Sequence, residues 1–374
     1  TFSGSADSGT AGNPITYKAY TGETVTLYGA NTVQSLIYLG SNVAYLTFDG
    51  LTLDCAIPAS SSIKGFHLSG ANHIIVQNCT INNIFFGYLP AVSALSTDLR
   101  VLNNTFYRNT QPLYLAWADN VTISGNTFKY TQEGLKINPH YTGGSVTNVN
   151  IFGNFFYQGG YGFQDYTGSI SAQHSPGITV DAQCNDGPMS GCPVTGVKIY
   201  NNIFWGNSQA GIWSARPDVG IYNNTFYRNG YVDASGLQVN PTITTAYGYG
   251  VMVYGVYATN NVIQNNIFYA NKGSSIYAAS GGTYSESNNL SVDPLFINGN
   301  PESSNPYDPN NYKLSPGSPA INKGTDLSLK GVTTDFFGNA RPAGGNFDIG
   351  IYEANSSTKA DNIAPQIPPN LKKQ

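Results

Sequence analysis

The sequence predicts an all-β protein, a single right-handed parallel β-helix of about eight or more coils, on three observations. A six-residue motif recurs as VQNCTI from 76, VLNNTF from 101, ISGNTF from 123, IFGNFF from 151, IYNNIF from 199, IYNNTF from 221 and IQNNIF from 263. Its corner asparagines, Asn78, Asn104, Asn126, Asn154, Asn202, Asn224 and Asn266, are 26, 22, 28, 48, 22 and 42 residues apart. One turn therefore takes 22 to 28 residues, and two turns carry insertions. Apolar and polar residues alternate around each asparagine, which reads as strand, one-residue corner, strand. The L-x-x-L-x-L frame and helical segment of a leucine-rich repeat are absent, so a coil of three short strands remains.

Stacked coils bring each corner asparagine over the previous one, where side-chain amides bond along the axis as a ladder. They also pile Phe106, Phe128, Phe156, Phe204, Phe226 and Phe268 inside. About eight coils at about 4.8 Å per strand make a rod of roughly 40 Å. Residues 1–353 read as one domain, with entry coils over 1–54 and a terminal cap over 313–353 that covers the last open edge. The Pro-rich segment 354–374 reads as a linker toward a further module, which would make the chain a monomer tethered to others.

Composition narrows the function. Of 374 residues only 10% are charged, against about 25% in ordinary globular proteins; 27 Tyr, 42 Gly and many Asn take their place. A surface built on neutral hydrogen bonds suits an extracellular or cell-surface protein facing sugars. The net charge is −4 and no Lys/Arg stripe exists to neutralise phosphates, which argues against nucleic acid. No apolar run approaches the roughly 20 residues that cross a bilayer, and any secretory leader is expected to have been removed before Thr1. Cys184 and Cys192 bracket a short loop and are read either as a disulfide or as free thiols; Cys55 and Cys79 read as small core residues.

If the strand before each asparagine is the second of its coil, the first lies upstream, in IKGFHL, PLYLAW, GLKIN, GITVDA, GIWSA, GVMVYG and SSIYAA. With aliphatic residues inward, the outward column reads His67, Tyr114, Lys136, Thr179, Trp213, Met252 and Tyr277, and a second adds Asn138, Asp181 and Tyr254. Insertions after Asn138, before Gly177, after Asp181 and before Val251 flank the same central coils and wall this first sheet into a cleft. Aromatic faces suit sugar C–H groups, so Tyr114, Trp213, Tyr254 and Tyr277, with Asn138, are the substrate-binding candidates; the alternative is that the rings only cover neighbouring coils.

The segments SGTAGNPITYKAYTGE, YLTFDGLTLD, the NNTFYRN repeats and the closing SPAINKG with DIGIYE resemble the pectate-lyase-like β-helix superfamily of secreted bacterial carbohydrate-active proteins. That resemblance covers nearly the whole chain and implies a substrate groove on the outer face of the first sheet. QEGLKI is similar to the strand bearing the lysine base in family 9 pectate lyases, which implies Lys136 as the base of a β-elimination on a uronate-containing or plant cell-wall polysaccharide. The paired aspartates that hold calcium in such lyases are missing, since the corresponding strands read SALST and PLYLAW. No metal ligands are assigned; calcium is the one cofactor considered, and the run CNDG reads either as a source of calcium oxygens or simply as a turn. Lys136 also reads as a solvated lysine or one paired with Glu133. Arg216 and His140 are candidates for an acidic sugar, and Asp181, with Asp165, Asp119 or Glu133, for the two carboxyls of a glycoside hydrolase. His174 reads as incidental. Three activities stay open: a polysaccharide lyase, a glycoside hydrolase, and a non-catalytic module binding cellulose or another wall polysaccharide.

Overall fold

The computed structural model describes residues 1–29, 35–55, 63–84, 92–94, 96–139, 143–159, 176–181, 192–231, 247–299, 301 and 305–354. Within them the chain winds through three parallel sheets, one of ten strands and two of nine. A typical coil gives Leu135–Ile137 to sheet 1, Val146–Phe152 to sheet 2 and Phe155–Tyr157 to sheet 3. Sheet 1 runs from Ser35–Leu39 to Ile276–Ala279, and every neighbouring pair of strands is parallel, as a right-handed β-helix requires.

The corner between sheets 2 and 3 has two residues, not one. The first adopts left-handed φ and is Asn or Gly, as at Asn103 (φ 56°), Gly125 (φ 69°) and Asn201 (φ 52°); only these residues enter that region cheaply. The second is the buried ladder asparagine. Its Nδ2 donates to the Oδ1 of the next, at 3.0 Å from Asn104 to Asn126, 2.9 Å from Asn126 to Asn154, 3.0 Å from Asn154 to Asn202 and 3.0 Å from Asn202 to Asn224. The run continues at 3.1 Å to Asn266 and 3.1 Å to Asn289. Each amide also donates to a carbonyl one coil back, for example Asn202 Nδ2 to Ile151 O at 2.9 Å, so no polar group in the run is stranded.

Asn78 does not belong to this ladder. It occupies the left-handed position (φ 53°), is exposed, and donates to Asp49 Oδ1 at 2.7 Å. Cys79 holds the ladder place, its backbone N–H donating to Asn104 Oδ1 at 2.9 Å. The motif there reads Asn-Cys where the others read Asn-Asn or Gly-Asn, so its one asparagine falls on the left-handed corner and Cys79 on the ladder place. A second, shorter ladder joins Asn207 to Asn229 at 3.0 Å and Asn229 to Asn271 at 2.9 Å, at the exit of sheet 3.

Inside, the six phenylalanines stack with centroids 4.8, 4.6, 4.9, 4.8 and 4.8 Å apart. Room for them comes from the glycines opening the sheet 1 strands. A Cβ on Gly211 would lie 2.4 Å from Phe226 Cδ1, and one on Gly250 2.3 Å from Phe268 Cδ1.

Residues 313–353 were expected to lie over the end of the coil. They run back along its side instead. Tyr312, Leu314, Ile349 and Ile351 pack on Phe155, Tyr157, Trp205 and Tyr227, which sheet 3 turns outward. Tyr307 reaches Tyr130, hydroxyl to hydroxyl at 2.7 Å, and Lys129 sits 3.4 Å over its ring. Phe347, Val332 and Leu327 cover Tyr222 of sheet 2. The reason is the sequence of sheet 3, which at these coils is apolar on both faces (FFY, IFW) and needs a cover. Segment 355–374 lies outside the described residues, as does Cys184. Cys192 is disulfide-bonded, whereas Cys55 and Cys79 are free and buried.

Candidate functional site

The outward column of sheet 1 is in register: Tyr114 pairs with Lys136, Lys136 with Thr179, Thr179 with Trp213, Trp213 with Met252 and Met252 with Tyr277. Members of the column differ sharply in what they offer. Tyr114 is buried and its hydroxyl donates to the Asn138 carbonyl at 3.0 Å, so it covers the next coil and presents no face to a sugar. Asn138 is buried as well. Lys136 Nζ lies 3.3 Å from Glu133 Oε1, with side chains only 13% and 18% exposed, and Gln111 Nε2 donates to the other Glu133 oxygen. The ion pair neutralises the charge that Lys136 would otherwise present to a sugar carboxylate, and engages the nitrogen that a base needs free.

Asp181 follows the strand Ile178–Val180 and is half-buried, its N–H donating to Ile137 O at 2.9 Å. Arg216, a candidate for an acidic sugar, is buried; its Nη2 donates to the Cys192 carbonyl at 3.0 Å. Burial pushes its pKa down, opposed by the charge of Asp181 and by Tyr257. Arg216 thus bonds the Cys192 carbonyl and feels the charge of Asp181 from a buried position, not at an open strand end. Asp119 lies on sheet 2, where Thr147 Oγ1 at 2.5 Å and Asn148 Nδ2 at 2.9 Å hold its carboxyl below the usual range. It cannot share a cleft with Asp181, and Glu133 is committed to Lys136 and Gln111. His140, Asp165, His174 and the CNDG run lie outside the described residues.

The open part of the face is toward its C-terminal end. A cleft of about 360 Å³ is lined by Trp213, Tyr254, Tyr277, Tyr247, Tyr249 and Gln209, with Met252 between them. Tyr247 stacks on Tyr249 with centroids 5.8 Å apart, Tyr249 on Tyr277 at 4.5 Å, and Trp213 meets Tyr254 edge to face at 6.1 Å. Crowding by desolvation, then by Tyr277 and Tyr247, raises the Tyr249 phenol pKa. Tyr254, Tyr277 and Tyr247 are exposed. Tyr247, Tyr249 and Gln209 were missed from sequence. The run TTAYGYGVMVYG reads as a wall loop followed by the strand GVMVYG, whereas the strand begins at Tyr249; the tyrosine density of that run is the available signal.

At the N-terminal end of the same face, His67 sits under Tyr38 and against Lys64, whose Nζ is 3.3 Å and 3.2 Å from its two ring nitrogens. Burial, then the charge of Lys64, lowers the His67 pKa to about 4.

Strand order, parallel pairing and the ladders define a right-handed parallel β-helix. A family model for a right handed beta helix region matches residues 169–301. A second, described as periplasmic copper-binding protein (NosD), matches residues 9–209, more than half the chain, and the chain belongs to that family. Among solved structures it is similar to a rhamnogalacturonan lyase at 16% identity over 91% of this chain and 87% of that one, with a TM-score of 0.51. A pectate lyase, Pel9A, matches at 16% identity over 85% and 89%, with a TM-score of 0.45. An alginate lyase from Paenibacillus sp. str. FPU-7 matches at 16% over 76% and 82%, with a TM-score of 0.44. No curated protein sequence matches. No helix among the described residues is long and apolar enough to cross a membrane.

Proposed function

We propose that this chain is an extracytoplasmic polysaccharide-binding β-helix that holds a sugar chain along the outer face of sheet 1, anchored in the aromatic cleft around Trp213. One observation carries the reading. Five aromatic side chains from three successive coils converge on the face that the C-terminal strap leaves open, while the strap packs on Phe155, Tyr157, Trp205 and Tyr227 of sheet 3 and on Tyr222 of sheet 2. Stacked rings with exposed faces suit sugar C–H surfaces, and a polymer along a rod-shaped sheet meets several coils at once. Trp213→Ala is expected to weaken binding by roughly 1–3 kcal/mol without unfolding the coil. Affinity electrophoresis against a polysaccharide panel checks it; unchanged mobility shifts in the variant would refute the groove.

A lyase is the second reading, favoured by the succession of Lys136, Asp181 and Arg216 on neighbouring coils of one face. Elimination would require Lys136 to leave Glu133 when substrate enters. Ultraviolet absorbance of unsaturated product, followed with and without calcium, decides it, and new reducing ends without absorbance would instead indicate a hydrolase.

The family description adds copper, and the described donors do not fit it. No three His, Cys, Asp or Glu side chains gather among the described residues. Burial pushes the Cys55 thiol up to about 11 and raises that of Cys79, disfavouring the thiolate that binds copper. His73 is held by Asp98 at 2.9 Å and His67 faces Lys64. No step is therefore routed through a metal.

A further inference from the structure

We propose that the cleft around Trp213 is a subsite for a neutral sugar residue, one that seats its hydroxyls on Trp213 Nε1 and Gln209 Oε1. The inference rests on the polysaccharide reading above and names the kind of residue that the anchor takes. Both atoms are buried without a hydrogen-bond partner, and Gln209 as a whole is only 9% exposed. Its Nε2 is turned to Met252 Sδ, 3.9 Å away, which leaves Oε1 as the orphan. Buried polar groups are almost always paired, and an unpaired one in a native fold asks for an explanation.

The two orphans are of opposite kind. An indole N–H only donates and an amide oxygen only accepts. A hydroxyl does both, so a ring bearing several hydroxyls satisfies the pair while its C–H face lies on the tyrosines and the indole. A carboxylate only accepts. It would answer Trp213 but set its charge against Gln209 Oε1, and no charged side chain lines the cleft among the described residues. Burying that charge without a partner is strongly unfavourable. On the preceding coils, Lys136 is occupied by Glu133 and Arg216 by the Cys192 carbonyl.

The test is titration calorimetry with neutral oligosaccharides from galactan, arabinan, xylan and mannan, and acidic ones from polygalacturonate and alginate. The chain is compared with Trp213→Phe, which keeps a ring but deletes the N–H, and with Gln209→Leu, both first checked for an unchanged melting temperature. At least one neutral series should bind, and each variant should weaken it about three- to tenfold, the worth of one neutral hydrogen bond. Binding confined to the acidic series overturns the inference and leaves the polysaccharide reading standing. Neutral binding that both variants leave untouched also overturns it. No binding by any series sinks the inference and the reading together.

Discussion

At the scale of single residues, the outer face of sheet 1 shows how the same column position yields different chemistry. Lys136 and His67 both point outward, yet each meets a neighbour that decides its charge economy: Glu133 for Lys136, and Lys64 for His67. The histidine has a measurable consequence. Its folded-state pKa of about 4 lies below the ordinary value of 6.5, first because of burial and then because of Lys64. The unfolded chain therefore binds the proton more readily. Stability from this residue is fully present above about pH 6.5 and is lost as the pH falls toward 4. Melting temperatures of the parent and of His67→Gln, taken from pH 7 to 4, should converge or cross as the pH drops, since the variant lacks that loss. Parallel curves over the range would show that His67 is not held neutral.

At the scale of the repeating element, the ladder explains why the motif is so legible. Each buried asparagine closes bonds with the coil on either side, so its position tolerates little else. Asn202→Ala removes the acceptor of Asn154 Nδ2 and of the Asn154 N–H, and the donors to Ile151 O and Asn224 Oδ1. With buried groups left unpaired, the expected cost is about 3 kcal/mol or more. Asn78→Gly, at an exposed corner that glycine also fits, should change stability by only a few tenths of a kcal/mol. Urea unfolding of the two variants separates the roles, and equal midpoints would sink the ladder assignment. The repeat, the three-strand coil, the Phe stack and the register of Lys136, Trp213 and Tyr277 were all readable because each recurs from coil to coil. What was misread does not repeat. Cys79 at the ladder place of VQNCTI leaves Asn78 off the ladder; the partners of Tyr114 and Arg216 come from other segments of the chain; and the gap in Tyr249's strand assignment arose where an insertion meets the coil.

At the scale of the whole molecule, the coil has three outer faces, and its own C-terminal strap lies on the aromatic parts of two of them. The strap is clamped by one buried charge group. Arg341 Nη1 donates to Glu353 Oε2 at 2.7 Å and to the Asp348 carbonyl at 3.0 Å, while Nη2 donates to the Gly350 carbonyl at 2.7 Å and to Asn201 Oδ1 at 3.3 Å, the last on a corner of the coil itself. Desolvation raises the pKa of both Glu353 and Asp348, opposed at Glu353 first by Arg341 and at Asp348 first by the backbone N–H groups of Ala354 and Asn322, then by Arg341. Removing the guanidinium leaves the Glu353 carboxylate without its counter-charge in a dry site, and breaking such a buried pair costs roughly 3–5 kcal/mol. Arg341→Met should therefore loosen the strap from the aromatic face of sheet 3, where Tyr157 and Trp205 are fully buried beneath it. The coil keeps its ladders and the cleft on sheet 1 is on another face. Limited proteolysis should accordingly cut the variant within 305–354 much faster than the parent, with tryptophan emission shifted to the red as Trp205 meets water, while glycan binding at Trp213 stays unchanged. If the variant resists protease as the parent does, the charge cluster is not the clamp; if binding is lost together with the strap, the two faces are coupled and the strap does more than cover.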